Sequence, residues 1–221
     1  MDAVTATLAP ARRATVRPMD AGDLPFVARL HRRYLPEGFF VRLGDAFLRS
    51  YYRSYLTSPA SVALIGEVDG VRAGFLVGTV DHGTYARHVG RHHRAKLLAA
   101  GVWALLRRPG LARTLVAGRL AGYRATLRRA RARPAAVDRP TRFGVLSHLA
   151  VEKAMRRSGL GRAMVQSYAG IALLHGTRRL RLVARAESSA ARGLYLSLGW
   201  LPGEEYRDGD GVRWTPFTRE L

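Results

Sequence analysis

Between Val145 and His175 the chain passes from an apolar stretch of strand length through a glycine-bearing basic turn into a long helical pattern. No other segment constrains the fold as tightly. Its centre is Arg156-Arg157-Ser158-Gly159-Leu160-Gly161-Arg162. Two glycines one residue apart at a helix opening let the backbone approach a ligand with no Cβ in the way, and the first-turn N–H groups lack intrahelical partners. With the positive end of the helix dipole and the flanking arginines, these donors form a seat for a diphosphate. A basic helix start on a solvated face is the alternative for Gly-x-Gly taken alone.

The flanking sequence extends the same α/β pattern. Ala14 to Met19 predicts a strand, and Asp20 caps a helix carrying Leu24, Val27, Leu30 and Tyr34. Leu35-Pro36-Glu37-Gly38 breaks it, and Phe47, Leu48, Tyr51, Tyr52 and Tyr55 form the stripe of a second helix that ends at Ser58-Pro59. Ser61 to Val68 and Val71 to Val80 flank Asp69-Gly70, which predicts an antiparallel hairpin. Val145 to Val151 is a strand, Gly159 to His175 a helix, Leu180 to Ala184 a strand, Ser189 to Leu198 a helix and Val212 to Thr218 a last strand. The expected class is α/β, a mixed central sheet flanked by helices, without internal repeats.

Charge is distributed unevenly. The 221 residues carry 37 basic against 16 acidic groups, a net +21. From His82 to Arg142 there are fourteen arginines and Lys96 against one acid, Asp138, so this stretch is expected to be a basic helical insertion between the third and fourth strands. Arg94 to Arg107 predicts a helix, Pro109-Gly110 interrupts it, and Leu111, Leu115, Leu120, Tyr123 and Leu127 continue at helical spacing up to Pro134 and Pro140. It reads as extra packing helices, as a lid over the acceptor, or as a surface for a membrane, nucleic acid or other anionic partner. His88, His92 and His93 have no nearby carboxylates to complete a metal site. The longest strongly apolar run, Leu97 to Leu106, is too short for a membrane span, which needs about 18 residues. Met1 to Arg13 has no apolar core of the secretory type and is expected to be a flexible tail. With no cysteine, thiolate chemistry and disulfides are excluded, and a cytoplasmic location is expected.

The spacing Val151, Arg156, Gly159, Gly161 resembles the acetyl-CoA loop of the GNAT superfamily of N-acetyltransferases, whose pattern is Arg/Gln-x-x-Gly-x-Gly/Ala after a strand. A second block, Ser188-x-x-Ala191-x-x-Leu194-Tyr195-x-x-x-Gly199-Trp200, is similar to the family's Asn-x-x-Ala-x-x-Leu-Tyr-x-x-x-Gly-Phe. The resemblance covers Val145 to Trp200, is compatible with Ala14 to Val80, and leaves out His82 to Arg142. It implies one domain over 14–221 with 82–142 inserted, acetyl-CoA as acyl donor, and direct attack by an amine. It further implies that the backbone of Leu149, Ala150 and Val151 pairs with the pantetheine arm. Arg156, Arg157, Ser158, Gly159, Leu160, Gly161 and Arg162 would then bind the pyrophosphate, and Ser188 would stand in for the usual asparagine.

Within that resemblance Tyr195 is the general acid for the departing thiolate, a phenol of pKa near ~10. Its alternative role is helix packing. The base is less defined. Leu182-Val-Ala-Arg-Ala-Glu-Ser188 resembles the ribosomal-protein alanine acetyltransferases, but Val183 stands where they keep a glutamate base, which argues against their activity. His148 is the first candidate, with Glu67, Asp81, Glu187 or a water chain behind it. A cationic site favours anionic or neutral amines over polyamines and aminoglycosides. The expected function is N-acetylation of a small primary amine. A protein N-terminal or lysine acetyltransferase, and a non-catalytic acyl-CoA or nucleic-acid binding module, stay open as alternatives, as do acyl chain length and oligomeric state.

Overall fold

The computed structural model describes residues 13–36, 39–95, 97–99, 142–209 and 211–221. Strands β1 (Ala14–Pro18), β2 (Ser61–Val68), β3 (Val71–Thr79), β4 (Phe143–Val151), β5 (Arg179–Arg185), β6 (Leu201–Pro202), β7 (Tyr206–Arg207) and β8 (Arg213–Glu220) form one sheet. Its order is β1-β2-β3-β4-β5-β8-β6, with β7 also on β8. Every pairing is antiparallel except β4 with β5. The Asp69-Gly70 hairpin forms as expected, both residues at positive φ (52° and 77°), the geometry of a two-residue turn that matches strand twist.

The helices are α1 (Leu24–Tyr34), α2 (Phe39–Arg42), α3 (Asp45–Thr57), α4 (His82–His92), α5 (Leu160–Leu174) and α6 (Ser189–Leu196). Asp20 does act as a cap, though of a short 3-10 turn ahead of α1: it accepts from Gly22 N at 2.7 Å while Asp23 accepts from Asp20 N at 3.1 Å. Asp23 is buried and held by Arg17 at 2.7 Å and Arg72 at 3.3 Å. The Arg17 guanidinium keeps its carboxyl below the ordinary range.

Helix α5 fits the sheet because the strands present glycines under it. A Cβ on Gly66 would lie 2.7 Å from Leu160 Cδ1, one on Gly74 3.0 Å from Met164 Cε, and one on Gly78 2.7 Å from a Tyr168 ring carbon. Leu160, Met164, Val165 and Tyr168 are fully buried there, and Tyr168 donates to the Thr79 carbonyl at 2.8 Å. On α3, Tyr52 packs edge-on to Phe75 of β3 at 5.3 Å.

Beginning directly after β3, the first part of the basic stretch belongs to the core. Asp81 caps α4, Tyr85 is buried and stacks on Tyr55 at 4.7 Å, and its hydroxyl pairs with Ser54 Oγ at 2.8 Å. Of the helix expected over Arg94 to Arg107, residues 94–95 and 97–99 are helical; 96, 100 to 141, the continuation through Leu127 among them, lie outside the described residues. The expected tail up to residue 12 also lies outside them. Pattern reading did not anticipate α4, β6 and β7.

Gly144 gives the sharpest test of the packing. A Cβ there would lie 2.5 Å from the Thr79 carbonyl oxygen and 2.8 Å from Leu180 Cδ2, backbone and core that have no room to yield. Gly144→Ala is expected to destabilise the fold by about 1–3 kcal/mol, read as a lowered urea midpoint at unchanged slope.

Candidate functional site

Parallel pairing of β4 with β5 covers only Phe143↔Arg179, Gly144↔Leu180 and Val145↔Arg181. Beyond Val145 the two strands part. At the same place the β3–β4 register shifts, Val77 facing His148 and Gly78 facing Leu146, so that Ser147 is an extra residue in β4. Such a bulge bends its strand and strengthens the twist. The divergence leaves a cavity of about 1040 Å³, walled by β4 from Leu146 to Val151, the end of β5, the start of α5, one face of α6 and the end of α1.

The open edge of β4 carries usable backbone groups. Glu152 N–H donates to Ala73 on β3 at 2.7 Å. By strand alternation the N–H and C=O of Leu149 and Val151 then face the cavity, and those of Ala150 face β3. Accordingly the Val151 carbonyl accepts from Arg156 Nε at 3.2 Å across the opening.

Above that edge the basic loop turns sharply. Arg157 and Gly159 both take positive φ (68° and 80°), and Gly159 is the residue ahead of α5. No side chain caps the helix, so its first N–H groups are turned to the cavity mouth, and Gly159 is exposed rather than covered. Arg156, Arg157, Gly159, Gly161 and Arg162 line the cavity. Arg162 donates to Ser197 Oγ at 2.8 Å, and Ser158 spends its hydroxyl on the Met155 carbonyl at 2.8 Å. The loop leans on Tyr34 of α1: the Arg156 guanidinium lies over the Tyr34 ring at 4.9 Å, Lys153 N–H donates to the Tyr34 hydroxyl at 3.0 Å, and that hydroxyl donates to Glu152 at 2.5 Å. An uncapped helix end flanked by guanidinium groups accepts a doubly charged anion.

On the opposite wall Tyr195 of α6 is 5% exposed, wedged between Trp200 at 5.9 Å and Phe217 at 5.6 Å. Burial pushes its hydroxyl above the usual value of 10.0, and it lines the cavity with no hydrogen-bond partner among the described residues. Ser188 lines it too, while its hydroxyl caps α6 by accepting from Ala191 N at 3.4 Å.

His148 projects from β4 into an aromatic cluster of His31, Tyr51 and Tyr52. Burial, and then the neighbouring His31, push it down to about 3. The other candidate bases stand elsewhere. Glu67 pairs with Arg17 at 2.8 Å, Asp81 with Arg142 at 3.1 Å and Glu187 with Arg213 at 3.2 Å, and none of them is on the cavity wall. Val183 does line the cavity. Among the described residues that wall holds no carboxylate; its ionisable side chains other than arginine and tyrosine are His31 and His148.

Three wall residues escaped sequence reasoning: His31, Tyr34 as an anchor of the loop, and Trp214. For His31 a signal existed. It follows Leu24, Val27 and Ala28 on the inward face of α1, so its position marked it as buried. Among the described residues no group of histidines and carboxylates is arranged to hold a metal, and no helix is long and apolar enough to cross a membrane.

Residues 113–221 match the family model of the acetyltransferase (GNAT) domain. Solved structures agree on the fold over nearly the whole chain. The GCN5-related N-acetyltransferase from Kribbella flavida superposes with a TM-score of 0.59 at 15% identity, covering 94% of this chain and 98% of that one. For yncA from Salmonella typhimurium, solved with its cofactor acetyl-CoA, the values are 0.56, 14%, 94% and 94%. The ribosomal-protein-S18-alanine N-acetyltransferase from Escherichia coli gives 0.56, 15%, 95% and 94%. No curated protein sequence matches the chain. Residues 113–221 thus carry an acetyltransferase (GNAT) domain, and the solved structures show that the chain as a whole has the fold of these enzymes.

The loop geometry separates its two glycines. A Cβ on Gly159 would meet nothing within 4 Å, but its φ of 80° is left-handed; Gly161 has ordinary φ and would meet only Leu194 at 3.5 Å. Gly159→Ala should therefore cost about 1–2 kcal/mol in chemical denaturation, and Gly161→Ala under about 0.5 kcal/mol.

Proposed function

We propose that this enzyme acetylates the primary amine of a small acceptor whose scaffold is neutral or anionic, by direct attack within a ternary complex. The observation that carries this reading is the charge of the cavity wall: Arg156, Arg157, Arg162 and Arg185 line it, and among the described residues no carboxylate does. Such a field raises the local concentration of anions and disfavours acceptors bearing several cationic groups. In this reading residues 14–221 are one N-acetyltransferase domain, and 82–142 is an insertion that starts with the core-packed helix α4.

The residues fit acetyl-CoA on three counts: an unpaired strand edge, an uncapped helix end and flanking arginines. Leu149 and Val151 would hold the amide-bearing arm by strand addition, with Ala150 between them setting the pleat. The N–H groups of Leu160, Gly161 and Arg162, with Arg156 and Arg157, would hold the diphosphate, while Ser158 and Gly159 shape the turn and Ser188 fixes the facing helix. Bound acetyl-CoA supplies the activated carbonyl and the thiolate leaving group.

The chain's own residues move the protons. His148 accepts the proton that the amine nitrogen sheds as it attacks, and Tyr195 donates one to the departing sulfur. Burial places both groups in the right state near neutral pH, His148 uncharged and Tyr195 protonated. The desolvation that depresses His148 also disfavours an ammonium brought to the same wall, and the one that raises Tyr195 also raises a thiol, so the shifts of each donor and acceptor run in the same direction.

Two measurements test this. Tyr195→Phe should lower kcat about 10²-fold while acetyl-CoA affinity by calorimetry stays within about twofold; unchanged turnover would remove Tyr195 from the chemistry. A free-CoA assay over glycyl-glutamate, aspartate, a nucleotide-linked amino sugar, an alanine-initiated peptide, spermidine and kanamycin should show an anionic small amine as fastest. Spermidine or kanamycin in first place would overturn the acceptor class, and the peptide in first place would turn the assignment to protein N-termini.

A further inference from the structure

The cavity wall holds a second imidazole that the reaction as described does not use. His31, in the last turn of α1, is 3% exposed and packs its ring on His148 with centroids 4.9 Å apart. Its Nδ1 is hydrogen-bonded to the Tyr52 hydroxyl of α3. His148 Nδ1 is buried without a hydrogen-bond partner among the described residues, and Tyr51 and Tyr52 close over the same ring at 5.7 and 5.9 Å. Both imidazoles line the cavity.

A neutral imidazole has one donor and one acceptor nitrogen, whereas imidazolium has two donors. For Nε2 to take the amine's proton, the neutral ring must already carry its hydrogen on Nδ1, and in the imidazolium that buried N–H shares the positive charge and needs a partner out of water. Of the rings packed around it, Tyr51 and Tyr52 offer phenolic oxygens and His31 a far more basic ring nitrogen. We infer that His31 is a positioning residue that shares the reaction's proton with His148, while Tyr52 fixes the ring of His31 to receive it. The inference rests on His148 being the proton acceptor. In the step the amine N–H bond breaks and a His148 N–H bond forms; for the charge to spread over the pair, His148 Nδ1–H, which has no hydrogen-bond partner in this state, must close on the ring nitrogen of His31 that Tyr52 leaves free, and no oxidant or reductant takes part.

The surroundings allow the pair one proton and resist a second. Tyr51 and Tyr52 from α3 pack on the pair, and Tyr34 from the same helix as His31, Tyr195 from α6 and the cations Arg185 of β5 and Arg156 of the loop line the same cavity. No carboxylate on the wall offsets a positive charge, among the described residues. Burial alone pushes His31 down to about 4, and His148 lies lower still, first through burial and then because a charged His31 repels its proton. Both folded-state values are depressed, so the neutral, active pair persists from alkaline pH down to about 4 and is lost only below it.

The test compares His31→Gln, which keeps a hydrogen-bond acceptor, with His31→Phe, which keeps the ring volume. The assay is free-CoA release with the fastest amine of the panel above. Proton sharing predicts kcat about tenfold lower in His31→Phe, recovery of at least part of that loss in His31→Gln, a smaller loss in Tyr52→Phe, and an unchanged KM for acetyl-CoA. Equal activity in all variants, or His31→Phe outperforming His31→Gln, would overturn it, since packing alone favours the ring. Histidine-selective 15N NMR supplies an arm independent of turnover: both rings are expected neutral from pH 5 to 8, and either one titrating near pH 6.5 would sink the pair. Failure of the underlying assignment looks different, because His148→Gln would then turn over at the wild-type rate.

Discussion

Everything in this site depends on β4 and β5 ceasing to pair after Val145. A parallel sheet normally satisfies both edges of an interior strand, and an unpaired buried edge is costly because its amides lose water without gaining partners. Here the extra residue Ser147 bends β4 just where the ladder to β5 ends, and the unpaired stretch opens on a water-accessible cavity. The edge of Leu149 and Val151 thus has no strand beside it and, apart from the Arg156 contact to the Val151 carbonyl, is available to another amide chain. Closing the gap by continued pairing would remove the cavity and the binding edge together.

The divergence alone would give a slot without direction. Its orientation comes from α5, which is pressed onto β2, β3 and β4 over Gly66, Gly74, Gly78 and Gly144 and so brings its uncapped end to the rim of the slot. The loop between β4 and α5 is then short and strained in the same sense, with Arg157 and Gly159 both left-handed, and is braced from below by Tyr34. Phosphate-type donors and strand-type donors are therefore fixed on one rigid pair of elements. A long ligand with a charged end and an amide-bearing middle can satisfy both without the scaffold moving.

Much of this was legible in the sequence because it is local. The strand–loop–helix from Val145, the Asp69-Gly70 hairpin, the stripe of α3 and the Tyr195 block are each written within about ten residues, where periodicity and turn chemistry act. What stayed hidden is non-local. Ser147 is an unremarkable serine until its strand is paired, Tyr34 braces a loop far away in sequence, and His31 meets His148 only through the packing of α1 on β4. The short strands β6 and β7 have too few residues to show alternation. Helix α4 was hidden for a different reason: Tyr85 is the single buried anchor of that helix, too few apolar positions to set a period.

On the proposed mechanism, the desolvation of the slot lets an acid and a base act there without ordinary pKa values. In water a histidine of pKa about 3 would be a poor acceptor for an ammonium proton and a raised phenol a poor donor to a thiolate. Inside the slot the comparison is between groups sharing one environment, and burial shifts like-charged forms together, so the proton-transfer driving force is set by differences that survive the shift. A glutamate at the position of Val183 would reach the same end with a fixed negative charge. This chain has instead aromatic and imidazole side chains there, beside four arginines and no carboxylate among the described residues, and on the proposed reading that positive field makes the charge of the acceptor, rather than its basicity, the quantity on which selection would act.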